Sequence, residues 1–186
     1  MVQIGQKPLS GFGDPIGMLE DCHQRIHLFL RSLTTFAHMP AGTLLTENQR
    51  EALGKTLRYF REAAPKHSAD EEESLFPRLR AMDGLQAHAL ADTLCALEWD
   101  HASTNMEQTE IDIIGRRWLA QGKITETEGV RLTQLVEALS IHYTRHIAVE
   151  EREIFTAARE LLSPSEKQHM GNEMARRRGL AKGAVT

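Results

Sequence analysis

The chain has 186 residues and a formal net charge of −4, from 22 basic and 26 acidic side chains. Hydrophobic residues make up 41% and charged residues 26%, the composition of one globular domain with its own core rather than of a disordered or collagen-like chain. The acidic balance excludes the basic footprint of a nucleic-acid binder, and no apolar run approaches the roughly 20 residues that span a bilayer, so neither nucleic acid nor membrane is an expected partner.

Two cysteines, Cys22 and Cys95, are too few for a disulfide framework and read as reduced thiols of a cytoplasmic protein. Residues 1–15 hold no hydrophobic signal region, which points to the same compartment. The unusual quantity is nine histidines in a chain with 5% aromatic residues.

Residues 1–14 are Gly-rich, lack periodicity and read as an N-terminal arm. Ile16, Leu19, Cys22, His23, Ile26, Leu30 and Leu33 then recur at steps of three or four, the stripe of an amphipathic helix that stops near Pro40. Thr46 with Gln49 forms a capping box. It opens a second helix whose stripe runs through Leu53, Leu57, Phe60, Ala64, His67, Glu71, Leu75 and Leu79. Pro65 and Pro77 each remove an intrahelical hydrogen bond, so kinks or a break are expected there. After the Asp83-Gly84 turn, a third helix carries Leu90, Leu94, Leu97 and His101 to about Leu119. Thr125 with Glu128 caps a long fourth helix with Leu132, Leu135, Leu139, His142, His146, Glu150 and Ile154 on its stripe. Ser163, Pro164 and Glu166 start a short fifth helix that ends in Arg176, Arg177 and Arg178. No alternating run is long enough for a strand. The expected fold is all-α: an up-down-up-down four-helix bundle over residues 15–162, followed by a C-terminal helix and basic tail over residues 163–186.

Two stretches of the chain repeat. Leu19-Glu20-Asp21-Cys22-His23 aligns with Leu97-Glu98-Trp99-Asp100-His101, both LExxH. His67-Ser68-Ala69-Asp70-Glu71-Glu72 aligns with His146-Ile147-Ala148-Val149-Glu150-Glu151, both HxAxEE, and each continues to a Phe and an Arg. His67 lies 44 residues after His23, and His146 lies 45 after His101. The bundle therefore reads as two copies of one helical hairpin.

Positions i and i+4 share a helix face. His67 with Glu71, and His146 with Glu150, thus form two-pronged sets on apolar stripes, and His23 and His101 face the core from the other two helices. Buried carboxylates demand a compensating charge, and no Lys or Arg lies on these stripes. Mixed imidazole and carboxylate donors without Cys suit Fe, Mn or Zn, and six donors exceed the four of a tetrahedral zinc, so two metal ions are expected. Two octahedral irons have about twelve positions; the six side chains and a bridging oxo or hydroxo group fill all but about two, and an open position is what O2, NO or peroxide needs.

At this point the chain resembles the hemerythrin-like family, the HHE cation-binding domains, over about residues 15–162. The segments that carry the resemblance are His67-xxx-Glu71-Glu72-xx-Leu75-Phe76-Pro77 and His146-xxx-Glu150-Glu151-xx-Ile154-Phe155, with one His in each partner helix. The resemblance implies a four-helix bundle with a non-heme di-iron centre. It makes His23, His67, His101 and His146 the imidazole ligands and Glu71 and Glu150 the bridging carboxylates. The chain departs from the oxygen carriers of the family. They have HxxxH on the third helix, where position 105 here is Asn105, and they end in HxxxxD, where this chain has HxxxE. His27 and His142, four residues from His23 and His146 on inward stripes, are the candidates for a fifth imidazole. The chain shows no Cys-containing N-terminal extension of the kind carried by the family's iron–sulfur repair proteins.

A ferritin-like scheme would instead use Glu20-xx-His23 and Glu98-xx-His101 with Glu71 and Glu150, and would leave His67 and His146 unused. Glu72 and Glu151 are read as hydrogen-bond partners of ligand imidazoles or as solvated. Tyr59, Tyr143 and Trp99 are read as core, Cys22 as a buried inert thiol, and the terminal arginines as a solvated tail. The expected function is to bind or sense O2, NO or peroxide. The alternatives are a di-iron enzyme that handles peroxide or nitric oxide, and an iron-dependent regulatory or storage module.

Overall fold

The computed structural model describes residues 10–180, with residues 85–87 described in their backbone alone. The remainder of the expected arm (1–9) and of the tail (181–186) lies outside the described residues. Among the described residues every regular element is helical: α1 (Pro15–Ala37), α2 (Glu47–Glu62), α3 (Ala64–Asp70), α4 (Phe76–Arg80), α5 (Leu85–Gln121), α6 (Glu126–Val149), α7 (Phe155–Leu161) and α8 (Pro164–Arg177). Two five-residue π turns, Glu71–Leu75 and Glu150–Ile154, join α3 to α4 and α6 to α7. No described helix is long and apolar enough to cross a membrane.

Local chemistry sets the ends. Asp14 caps α1 by accepting from the Gly17 amide at 3.0 Å, with Pro15 pre-shaped for the first turn. The boxes Thr46/Gln49, Thr125/Glu128 and Ser163/Glu166 all form, each satisfying two otherwise orphaned backbone donors. Gly122, at φ 78°, ends α5 in the left-handed region, where a side chain would be strained.

Four antiparallel arms make the bundle: α1; α2 to α4; α5; and α6 to α7. Both α1 and α5 pack against α2 and α6, which closes a four-membered ring. The core divides into two apolar clusters. One holds Ile26, Leu30, Leu33, Phe60, Trp118 and Leu139; the other holds Leu19, Leu75, Phe76, Leu97, Ile154 and Phe155. Full burial of each such side chain contributes about 1.5–3 kcal/mol. Between the clusters lies a layer of buried His and Glu.

The helix α8 completes the second cluster with Met170 and Met174. It approaches the N-terminal segment so closely that a Cβ on Gly171 would lie 1.9 Å from the Phe12 carbonyl oxygen. The expected solvated basic tail is corrected here. Arg177 and Arg178 reach the fully buried Asp70 at 2.8 and 2.6 Å, Arg177 also meets Glu73 at 3.0 Å, and Arg78 meets Glu173 at 2.9 Å.

The expectation at the prolines needs one correction as well. The second arm breaks at Ala63, just before Pro65, as a missing donor requires. At Pro77 the irregularity is a π turn that the proline does not cause. The same turn occurs at Glu150–Ile154, where Thr156 stands in the place of Pro77. In both, a Phe amide donates to the carbonyl five residues back, Phe76 to Glu71 and Phe155 to Glu150.

Candidate metal centre

Each arm delivers its part of the polar layer by the spacing of its own helix. The side chains of His23 from α1 and His101 from α5 meet those of His67 and Glu71 from the second arm and His146 and Glu150 from the fourth. They converge as two groups, His23/His67/Glu71/Glu150 and His101/His146/Glu71/Glu150, each with donor atoms within 4.8 Å of one another. Glu71 and Glu150 belong to both groups and are 0% exposed.

The two carboxylates divide their oxygens. Glu71 turns Oε1 toward His67 Nε2 at 3.4 Å and His23 Nε2 at 3.9 Å, and Oε2 toward His101 Nε2 at 3.5 Å. Glu150 turns Oε2 toward His23 Nε2 at 3.2 Å and Oε1 toward His146 Nε2 at 3.1 Å. These atoms are close yet not aligned as hydrogen bonds. Among the described residues, both oxygens of both glutamates, and Nε2 of His23 and His146, have no hydrogen-bond partner. Buried polar atoms are rarely left in this way, and six that converge mark a cation-binding donor set.

The outer ring nitrogens are held in place. His23 Nδ1 lies 3.0 Å from Glu151, His101 Nδ1 2.7 Å from Glu72, and His146 Nδ1 3.3 Å from Asp100. A carboxylate there fixes the tautomer, turns Nε2 inward and raises the basicity of the ring. Among the described residues, His67 Nδ1 has no such partner. Phe155 stacks on His23 with centroids 5.1 Å apart, and Phe76 lies parallel to His101 at 6.4 Å.

Electrostatics follow the geometry. Burial, and next the neighbouring Glu150, pushes the Glu71 carboxyl well above the usual carboxylate range. Burial opposes ionisation of Glu150 too, but His146 and His23 outweigh it and hold that carboxyl down. Burial pushes His67 and His101 down. It would lower His146 as well, but Glu150 and Asp100 outweigh it and raise that imidazole. Burial acts on every one of these groups, and the neighbouring charges decide where it is outweighed.

A family profile for the hemerythrin HHE cation binding domain matches residues 14–158 of this chain. The chain belongs to the hemerythrin HHE cation-binding family. It is also 28% identical over 167 residues to a Haemophilus influenzae protein described as "Uncharacterized protein", a match that covers 90% of this chain and 91% of that one. Within the HHE family the bundle is thus a cation-binding fold, and the two His/Glu groups are its candidate site.

The other candidate residues fall outside those groups. His27 is half-buried one turn beyond His23, and burial, then the His23 ring, lowers it. His142 Nε2 lies 3.2 Å from Asp100, so it faces the carboxylate that holds His146. Glu20 and Glu98 turn away to Arg159 and Arg80, each at 2.7 Å, which removes the carboxylates that a ferritin-like site would need. Trp99 is 70% exposed rather than core. Tyr59 stacks on Phe29, and Tyr143, bonded to Gln108, lines a cavity of about 350 Å³ with Pro65, Ser68, His101 and Asn105. Sequence reasoning passed over Asp100. The aligned repeats held the signal, because Asp100 stands where the first copy has Cys22.

Proposed function

We propose that this HHE protein binds two iron ions in its polar layer and uses them to bind or sense O2 or a related small oxidant, NO or peroxide. The observation that carries the reading is the division of the two buried carboxylates, each with one oxygen toward one His pair and one toward the other. A carboxylate that serves a single ion has no need of that division; one that bridges two ions does. Four imidazoles and two carboxylates without thiolate suit iron, and bound iron would supply redox chemistry and an open coordination position for a small ligand.

The chain's own residues do the rest. Glu151, Glu72 and Asp100 orient the imidazoles of His23, His101 and His146. Phe76 and Phe155 cover His101 and His23 and keep water from that side. The cavity between α3 and α5 has His101 in its wall, and its volume of about 350 Å³ exceeds that of a diatomic molecule. Asn105 lines it where an imidazole would fill more of the space.

The test is metal content per chain after anaerobic purification, with absorption spectra before and after air. About two irons, and new near-ultraviolet bands in air, are expected under the two-ion reading. Bands that vanish on deoxygenation mark a binder or sensor, and steady turnover of peroxide or NO marks an enzyme. A single zinc, or no metal after iron reconstitution, overturns the reading.

A further inference from the structure

The two His pairs are supported unequally, and the repeat shows where the difference arises. Aligned on LExxH and HxAxEE, the copies exchange support in a symmetric way. Glu151 of the second copy holds His23 of the first, and Glu72 of the first holds His101 of the second. Arg159 with Glu20 and Arg80 with Glu98 obey the same exchange. Asp100 with His146 is the exception. Its counterparts are Cys22 and His67, and no hydrogen bond joins them. The Cys22 thiol is buried and accepts from Arg25 at 3.0 Å, while His67, 4% exposed, leaves Nδ1 without a partner among the described residues. Asp100 is itself steadied by His142 at 3.2 Å.

We propose that the two cation positions are unequal: the position at His101 and His146 fills first and holds its ion more tightly, because Asp100 orients His146 whereas Cys22 leaves His67 unsupported. Both positions share Glu71 and Glu150, so the carboxylates do not separate them. What separates them is that both imidazoles of one pair have a carboxylate on the outer nitrogen, and only one of the other pair does. Loss of such a partner weakens metal binding by about 10–100-fold. Asp100 is thus a positioning residue, and Cys22 marks its absence in the other half.

The inference rests on the two-ion reading, and one experiment separates their failures. The full chain is titrated anaerobically with Co2+, read by visible absorption, against a competing chelator. Two uptake steps about 10–100-fold apart are expected. Asp100→Asn should weaken the first step by that factor and bring the steps together, and Asp100→Glu should restore much of the gap. Cys22→Asp should tighten the second step alone. Helix content by circular dichroism checks that each variant folds, and a shift confined to one step is not what a general loss of packing would produce. Two ions bound with one affinity, or an Asp100→Asn variant whose two steps match those of the unaltered chain, overturn the inequality. Uptake of fewer than two ions overturns the two-ion reading itself.

Discussion

The first repeat copy, residues 19–80, and the second, residues 97–159, differ at few positions that touch the polar layer. The histidines, the glutamates common to both groups, the following glutamates, the Phe over each imidazole and the outer Arg are the same in both. Beside the Cys22/Asp100 difference, one further difference answers to what lies outside the layer. Val149, partly buried and packed on the apolar cluster, corresponds to Asp70, which is fully buried and held by Arg177 and Arg178 from α8. The first copy is the one on which the C-terminal helix docks. The comparison teaches that the donors and most of their immediate partners are held in common, and that the copies part company at two neighbouring positions, Cys22 against Asp100 and Asp70 against Val149.

That comparison can be broken most severely at the shared carboxylates. Glu150→Ala should empty both positions, because both groups use Glu150, whereas His67→Ala should cost one ion per chain. Elemental analysis decides; unchanged metal content in both variants would end the assignment of these residues as donors. The next effect is on stability. Removing both Arg177 and Arg178 strands the Asp70 carboxylate in the core, at a cost of about 3–5 kcal/mol in urea unfolding. In an Asp70→Val background, which copies the second repeat, the same arginine removals should cost less than about 1 kcal/mol. Equal costs in the two backgrounds would deny the clamp.

Asn105→His should shift the optical spectrum of the iron-loaded chain and its response to oxygen, since position 105 lines the cavity beside His101. A spectrum that does not move would show that this wall does not reach the site. The smallest effect is expected at the outermost shell. Glu20→Ala and Glu98→Ala each break a solvent-exposed pair worth about 1 kcal/mol or less. Metal content should stay the same in both; a lost ion would revive the ferritin-like donor scheme.

The parts of the molecule that were legible in the sequence are those that local rules determine. Three capping boxes and the turns at Gly84 and Gly122 set helix ends through contacts a few residues long. The i, i+4 spacing put His67 with Glu71 and His146 with Glu150, and the repeat tied both sets to His23 and His101. What escaped depends on contacts far apart in the chain. Each π turn takes up one residue more than an α turn, and nothing in local propensity favours it over an α-helix. Asp70 needed the distant Arg177 and Arg178, and Asp100 needed His146, 46 residues on. Trp99 sits on the same helix as buried Leu97, but two positions round it faces outward.

The π turns also leave slack in each arm at one place. Each holds one residue more than the α turn it replaces, so its hydrogen bond closes five residues back instead of four. Loss of one residue inside Glu71–Leu75 or Glu150–Ile154 would let that turn close as α, with Phe76 or Phe155 still over its imidazole. Loss of one residue farther on, between Phe76 and Arg80 or between Phe155 and Arg159, has no such outlet. Each α-helical residue advances the chain by about 100° around its axis, so Arg80 or Arg159 would swing away from its glutamate on the opposite copy.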